Sequence, residues 1–288
     1  MLGRAMMDPV PGFQRSDFEH DGTTREVYRA GAGPGVVVMH EMPGLHPVVT
    51  QFGQRLVDAG FTVYMPSLFG RPGRAFKRSA LVQALAEVCV AREFTMLANR
   101  APPVTSWLRA LAARAHAECG GPGVGAVGMC FTGSFALAMA VDPVVLAAVM
   151  SQPGLPAPLT ARKRAQVGID AADLERVKTR ALGTGRERLC VMGLRFTGDS
   201  SVPQERFATL RRELGDAFIA IEIDSSPGNA AGIDPRSHSV LTMALVDRPG
   251  HPTREALERL LEFLDERLRP APDPGPVSAP SKQAFTGR

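Results

Sequence analysis

A cysteine stands at a predicted strand–turn–helix junction near the middle of this chain. Cys130 lies in the segment Gly128-Met129-Cys130-Phe131-Thr132-Gly133, which follows the apolar run 124–127 and precedes the small-residue run 134–140. A turn of this kind is strained and needs flanking glycines, and it exposes its central residue as a nucleophile. The positive end of the helix dipole favours a thiolate there. The segment therefore predicts a reactive thiol, with a buried structural cysteine as the alternative.

Two further residues have the types and the chain order that a thiol nucleophile requires. Asp199 follows a predicted buried strand, and His238 lies in the loop after the last predicted strand. A thiol hydrolase needs a base that takes up the thiol proton and a group that orients the base. Alone, Asp199 suits a turn and His238 a surface position. Because the ends of parallel strands meet at one edge of a sheet, we predict a triad of Cys130, His238 and Asp199.

Apolar runs that alternate with helical patterns must position these residues. Strands are predicted over 35–41, 61–65, 124–127, 144–150, 188–196 and 217–223, after a hairpin in 13–30 around Asp21-Gly22. Helices are predicted over 48–59, 79–99, 103–118, 134–141 and 252–268, with another that ends at Leu214. Residues 156–187 are predicted to form an excursion with one short helix. This alternation predicts a doubly wound, mostly parallel sheet with helices on both faces.

The pattern fits one domain over residues 13–269. Residues 1–12 are predicted to be a flexible arm. Residues 270–288 are dominated by Pro, Ser and Gly, which predicts a disordered tail.

Composition excludes several classes of partner. The chain has 288 residues, a net charge of +4, one Trp and two Tyr. Its arginines are scattered, so neither a basic stripe nor a base-stacking platform for nucleic acid is predicted. No apolar run has the length of a membrane span, and the N-terminal residues show no apolar signal segment. We therefore expect a cytoplasmic protein with no membrane or nucleic-acid partner.

No cofactor or metal is predicted from the motifs. The four cysteines, at 89, 119, 130 and 190, include no CxxC pair, so they are expected to be free thiols. His40-Glu41 begins like a zinc protease motif, but Gly44 stands at the position of the second His. The G-x-G-x-x-G match at 123–128 contains its strand instead of following it, unlike a dinucleotide site.

With these residues in place, the chain resembles the dienelactone hydrolase family, which has the α/β-hydrolase fold and a Cys-His-Asp triad. The family has a G-x-C-x-G-G elbow, a G-x-D-x-x-V-P acid loop, a G-H-x-F-type histidine loop and an E-x-x-G segment after the first buried strand. Here the acid loop reads Gly198-Asp199-Ser200-Ser201-Val202-Pro203, and the last segment reads Glu41-Met42-Pro43-Gly44. The resemblance covers about residues 13–268.

The resemblance implies a role for each matched residue. Cys130 would be the nucleophile, His238 the general base, and Asp199 the group that orients His238. Glu41 would hydrogen-bond the resting thiol and help to activate it. The backbone N–H groups of Met42 and Phe131 would form the oxyanion hole, a role that generally falls to one donor after the nucleophile and one after the early strand.

The chain departs from the family pattern at three places. Thr132 stands where a glycine is expected, and is predicted to narrow the space beside the thiol. No glycine precedes His238. The substrate-binding Arg that the family carries a few residues after the histidine has no match here, because Thr242 and its neighbours are uncharged. The candidates for a substitute carboxylate clamp are Arg71, Arg74, Arg92 and Arg236, with Arg92 and Arg236 taken as the substrate-binding pair.

These observations predict a hydrolase of small esters or lactones, in the class of the carboxylic ester hydrolases. The expected substrate is a small molecule, and the expected assembly is a monomer or a weak homodimer. The alternative is a hydrolase-fold protein that has lost catalysis and binds a small ligand or a protein partner. Retention of Glu41, Cys130, Asp199 and His238 favours the enzyme, because a scaffold without activity has no chemical need for all four.

Overall fold

The structure is a computed structural model that describes residues 10–75, 77, 104–155, 159–185 and 187–269. The predicted helix over 79–99, the substrate-binding candidate Arg92 and the predicted tail 270–288 lie outside the described residues. Val10 falls within the segment 1–12 that was predicted as an arm, yet it is fully buried against the core. The residues that pack on the domain therefore begin no later than Val10.

Eight strands form one sheet in the order β1-β2-β4-β3-β5-β6-β7-β8. Strand β2 pairs antiparallel with both β1 and β4. All the remaining pairs, from β4–β3 to β7–β8, are parallel. The strands are β1 (Gln14–His20), β2 (Thr23–Ala30), β3 (Gly35–Met39), β4 (Thr62–Pro66), β5 (Val124–Met129), β6 (Val145–Ser151), β7 (Cys190–Phe196) and β8 (Phe218–Ile223). This confirms the predicted sheet and the hairpin at Asp21-Gly22.

Seven α-helices are described. They are α1 (Pro47–Asp58), α2 (Val104–Cys119), α3 (Gly133–Met139), α4 (Ala161–Ala165), α5 (Ala171–Ala181), α6 (Gln204–Leu214) and α7 (Pro252–Leu268). The predicted bounds agree to within one or two residues, because proline, glycine and the change of period mark most ends. In the excursion, the prediction of one short helix was wrong: both α4 and α5 lie there, each begun by a side-chain cap, from Thr160 and Asp170.

The core lies on both faces of the sheet. One cluster contains Trp107 of α2, Phe135 of α3 and Phe207 of α6, and the other contains Phe52 of α1 and Phe263 of α7. Strands β3, β5 and β6 are buried along their whole length, which explains their apolar runs without alternation. The helices thus cover both faces, as the sequence predicts.

The connections after the strands place the candidate residues at one edge. Glu41 follows β3, Cys130 follows β5, and Asp199 follows β7. His238 lies in the long connection between β8 and α7. The carboxyl ends of the parallel strands share an edge, so four residues far apart in sequence reach one site.

Candidate active site

The elbow holds Cys130 in a left-handed conformation. Its φ is +54°, in a region that side-chain-bearing residues rarely adopt, and a single 3-10 turn over Cys130–Thr132 leads directly into α3. A Cβ on Gly128 would lie 2.1 Å from the carbonyl oxygen of Thr132. A Cβ on Gly133 would lie 2.9 Å from Cα of Pro153. Both glycines are therefore required by close backbone approach.

Thr132 has the ordinary φ of −80°, so the elbow does not require a glycine there. Its side chain is fully buried. Its hydroxyl group is directed to the ends of β3 and β5, where it contacts the backbone of Met39, His40 and Met129. The close approach behind the elbow thus requires a glycine at Gly133, the second closing glycine of the family pattern, and not at Thr132.

His238 is oriented by Asp199. The Nδ1–H of His238 donates to Oδ2 of Asp199 at 2.6 Å. Oδ1 of the same carboxylate accepts from the N–H of Ser201 at 2.9 Å and from its hydroxyl at 2.6 Å. Because Asp199 engages Nδ1, the tautomer leaves Nε2 for a second partner. The imidazole of His238 is therefore held in one orientation by the Asp199 carboxylate.

The thiol of Cys130 and the imidazole of His238 share one small space beside Gly154. The position of a Cβ on Gly154 would lie 3.7 Å from Sγ of Cys130 and 3.8 Å from Cε1 of His238. Burial lowers the pKa of His238, but hydrogen bonds to Asp199 and to Cys130 outweigh that effect and raise the pKa to about 10. The protonated form of His238 is thus favoured, and the Asp199 carboxylate is its charged partner.

The carboxylate of Asp199 is suited to this pairing. Burial raises the pKa of Asp199, but hydrogen bonds from His238 and Ser201 hold it below its usual value. Asp199 therefore remains an anion across the physiological range. An anion at this position stabilises the imidazolium form of His238.

Glu41 is buried and holds the loop that carries His238. Its carboxylate accepts from the hydroxyl of Ser239 at 2.6 Å, from the hydroxyl of Thr242 and from the amide of Gln152 at 3.2 Å. Nε2 of His46 lies 3.7 Å away. Within the described chain, the thiol of Cys130 is not among the contacts of Glu41, unlike the arrangement that the family resemblance implies.

The charge on Glu41 is retained despite its burial. Burial raises the pKa of this carboxyl, but the neighbouring His46 imidazole and the hydrogen bonds from Ser239 and Thr242 hold it below the usual value. Removal of the carboxylate would leave several buried donors without an acceptor, which is costly inside a protein. Glu41 is thus an anionic anchor between the end of β3 and the histidine loop.

Gln152 belongs to the same network and was missed by sequence reasoning. It is fully buried directly after β6, with a φ of +34°. Its side-chain oxygen accepts from the N–H of Val240 at 3.3 Å, and its backbone N–H donates to the carbonyl of Leu194 at 2.7 Å. The sequence signal that could have indicated it is a polar residue that follows a largely apolar strand, at the same sheet edge as Cys130.

His40 is a structural residue and lies beside the site without entering it. It is fully buried, and burial lowers its pKa to about 4. Its Nδ1–H donates to the carbonyl of Glu41 at 3.1 Å, and its Nε2 accepts from the N–H of Leu68 at 3.0 Å. The neutral ring therefore joins the segment before Met42 to the loop after β4.

The predicted oxyanion residues follow the ends of β3 and β5. Phe131 is buried and packs edge-to-face on Phe135, with ring centroids 5.2 Å apart. Met42 packs against the same hydrophobic cluster as Phe131. Their backbone N–H groups as oxyanion donors stay a prediction.

Of the arginine candidates for a substrate clamp, the structure describes Arg71, Arg74 and Arg236. Arg236 is 91% exposed and pairs with Asp234 at 3.3 Å. Arg71 and Arg74 are exposed. The fully buried Arg206 donates to the carbonyls of Gln166, Pro153 and Ser201, the last of which follows Asp199 by two residues. Arg206 thus joins the Asp199 loop to neighbouring segments.

In the described part of the chain, no group of three or more His, Cys, Asp or Glu side chains is arranged to hold a metal ion. No helix among the described residues has both the length and the apolar character needed to cross a membrane.

The chain is similar to a family of known proteins and to several solved structures. The profile of the Dienelactone hydrolase family matches residues 24–267. A putative dienelactone hydrolase from Klebsiella pneumoniae is 17% identical, with a TM-score of 0.58, and the match covers 88% of this chain and 97% of that one. A dienelactone hydrolase-like promiscuous phosphotriesterase from metagenomic libraries is 19% identical, with a TM-score of 0.56, and the match covers 89% of this chain and 98% of that one.

A cold-adapted esterase from an Arctic intertidal metagenomic library is 16% identical, with a TM-score of 0.54 and coverage of 90% of this chain and 96% of that one. At these identities, the solved structures show a shared fold, the predicted α/β-hydrolase fold. A comparison with curated proteins gave no significant match.

Proposed function

This chain belongs to the dienelactone hydrolase family, and on that premise we propose that it hydrolyses small carboxylic esters or lactones through an acyl-enzyme on Cys130. The proposal is supported chiefly by the position of His238. Its imidazole hydrogen-bonds the Asp199 carboxylate and lies beside the thiol of Cys130, which is held at the strained elbow. Acyl transfer by a cysteine hydrolase needs a nucleophile, a base and an orienting acid in this order.

The first half-reaction forms the acyl-enzyme. The Cys130 thiolate attacks the carbonyl carbon, a carbon–sulfur bond forms, and the carbonyl oxygen takes the negative charge. When the carbonyl reforms, the carbon–oxygen bond to the leaving group breaks, and His238 gives its proton to the departing oxygen. The products of this half-reaction are a thioester on Cys130 and an alcohol, which a lactone substrate keeps attached.

The second half-reaction regenerates the enzyme. Neutral His238 takes a proton from water, whose oxygen attacks the thioester carbonyl. The carbon–sulfur bond then breaks, which releases the carboxylic acid and returns the thiolate beside protonated His238. Asp199 keeps Nδ1 engaged throughout, so the proton moves at Nε2.

The oxyanion of both half-reactions would accept hydrogen bonds from the N–H groups of Phe131 and Met42. Each follows the end of a parallel strand, β5 and β3 respectively, and these strands are direct neighbours in the sheet. Donors fixed on neighbouring strand ends need no rearrangement during reaction, and one such donor contributes about 10²- to 10³-fold in rate.

Uncharged acyl groups suit this site better than acyl groups with a free carboxylate. Glu41, one residue before Met42, is a buried anion, and Thr242 stands in the region where the family has a substrate-binding Arg. A substrate carboxylate beside an anion is disfavoured unless a cation pairs with it. We therefore infer a preference for neutral esters and lactones over dienelactone itself.

A substrate panel tests the proposal. Purified protein is expected to hydrolyse p-nitrophenyl acetate and small neutral lactones, and stoichiometric iodoacetamide is expected to abolish this activity with the label on Cys130 by mass spectrometry. Cys190→Ala is the matched control, because Cys190 is a half-buried free thiol on β7. Tight ligand binding without turnover of any ester would instead favour the scaffold that has lost catalysis.

The pH dependence of hydrolysis follows from His238. Acylation uses protonated His238, whose pKa is raised to about 10, so kcat/KM is expected to stay high through neutral pH and to fall as the pH passes through about 10. The same proton stabilises the fold fully below pH 6.5, and this contribution is lost through about pH 10. Stopped-flow rates from pH 6 to 11, corrected for spontaneous hydrolysis, measure the first effect. A fall centred near pH 6.5 would contradict the assignment.

A further inference from the structure

Thr132 occupies a position in the elbow where the family pattern has glycine, and its hydroxyl group joins two strand ends. The oxygen accepts from the N–H of Met129 at 2.9 Å. It also lies 3.0 Å from the carbonyl of Met39, 3.2 Å from that of His40 and 2.9 Å from that of Met129. A hydroxyl group has one proton, which can be donated to any of these three carbonyls. Two of them, those of Met39 and His40, lie at the end of β3.

These contacts join the two segments that carry the predicted oxyanion donors. Thr132 directly follows Phe131, and His40 stands two residues before Met42. The ladder between β3 and β5 ends at the pair Met39 and Gly128. Beyond that pair, the Thr132 hydroxyl connects the end of β3 to the elbow that follows β5.

The connection extends to the neighbouring loop through His40. The His40 carbonyl is in reach of the Thr132 hydroxyl, while its ring donates to the carbonyl of Glu41 and accepts from the N–H of Leu68. Thr132 and both His40 and Met39 are fully buried, so water does not compete for these bonds. Movement of the segment before Met42 relative to the elbow would break at least one of them.

We propose that Thr132 is a positioning residue that fixes the spacing between the backbone N–H groups of Phe131 and Met42. This inference rests on the proposed hydrolase function. Thr132 touches neither the substrate nor the thiol in this scheme. It acts on the rate of the chemical step through the geometry of the oxyanion hole, where displacements below 1 Å reduce the rate strongly.

The decisive comparison is between Thr132→Val, which keeps the shape and removes the hydroxyl, and Thr132→Ser, which keeps the hydroxyl. With p-nitrophenyl acetate, Thr132→Val is expected to lower kcat by about 10- to 100-fold, with KM changed by less than about twofold. Alkylation of Cys130 by iodoacetamide should keep its rate, because that reaction uses no oxyanion hole. Thr132→Ser should recover kcat to within about threefold of the original protein.

Two outcomes overturn the inference in an active enzyme. One is a Thr132→Val protein that folds and keeps its kcat. The other is a loss of kcat matched by an equal loss of alkylation rate, because Thr132 would then act on the nucleophile. If Thr132→Val does not fold, Thr132→Ala, which adds no apolar branch, is compared with Thr132→Ser in the same assays.

A measurement without turnover separates this inference from the proposed function. If the original protein shows no Cys130-dependent hydrolysis, the proposed function fails, and hydrogen–deuterium exchange then tests the connection alone. Thr132→Val should raise deuterium uptake in both peptides 36–44 and 127–134, by at least about twofold at matched times, and Thr132→Ser should not. Increased uptake confined to the elbow peptide would overturn the inference.

Discussion

Cys130→Ala is expected to lower kcat/KM for p-nitrophenyl acetate by at least about 10³-fold, close to the rate without enzyme. The reason is that the substitution removes the atom that forms the acyl-enzyme, and the oxyanion donors and His238 alone leave only a small residual acceleration. Hydrolysis is followed by p-nitrophenolate absorbance at neutral pH with the nonenzymatic rate subtracted.

The fold should tolerate this change. Alanine occupies no more space than cysteine at the elbow, so the melting temperature is expected to stay within about 4 °C of the original value. Cys130→Ser should be nearly as inactive as Cys130→Ala, since a hydroxyl is far harder to ionise than a thiol. Cys190→Ala supplies the matched control. Retention of activity in Cys130→Ala would refute the nucleophile assignment.

His238→Ala is expected to lower kcat/KM by about 10³- to 10⁴-fold and to slow iodoacetamide alkylation of Cys130 by at least about tenfold. Hydrolysis falls because no group remains to protonate the leaving oxygen or to activate water. Alkylation falls because the thiol loses the group that takes up its proton. The two rates are measured on the same preparation, one by absorbance and the other by mass spectrometry.

The control for this change is His116→Ala. His116 is on α2, where its Nε2 contacts the carbonyl of Gly121, and it plays no part in the triad. It should leave both rates within about twofold, as surface substitutions do. Unchanged alkylation in His238→Ala, together with lost hydrolysis, would limit His238 to proton transfer with the substrate and water, and would contradict its role in activating Cys130.

Local sequence patterns were sufficient to predict the elements that carry the triad. The apolar run before Gly128, the proline after Val202 and the turn residues before His238 each mark where a strand or loop ends. Because parallel strands place their carboxyl ends together, the chain order alone brought Cys130, Asp199 and His238 to one edge. The confirmed helix over residues 252–268 shows the same strength of local signals.

The contacts that hold the triad in place could not be predicted in this way. Glu41 bonds Gln152, Ser239 and Thr242, residues that are 111, 198 and 201 positions away. No local pattern specifies which hydroxyl or amide meets a carboxylate across such distances. Thr132 illustrates the same limit. It departs from the family pattern, and its hydroxyl contacts the carbonyls of Met39 and His40, which lie 93 and 92 positions earlier in the chain.

The separation between Glu41 and the histidine loop also bears on how the molecule folds. The turn at Cys130 joins β5 directly to α3, and contacts of short range form early and quickly. His238 acquires its position only when the chain closes a loop of about 200 residues onto Glu41, which is slow because long loops lose more entropy on closure. Recovery of hydrolysis after refolding is therefore expected to lag behind recovery of helical structure, so that enzyme activity reports the last step of folding.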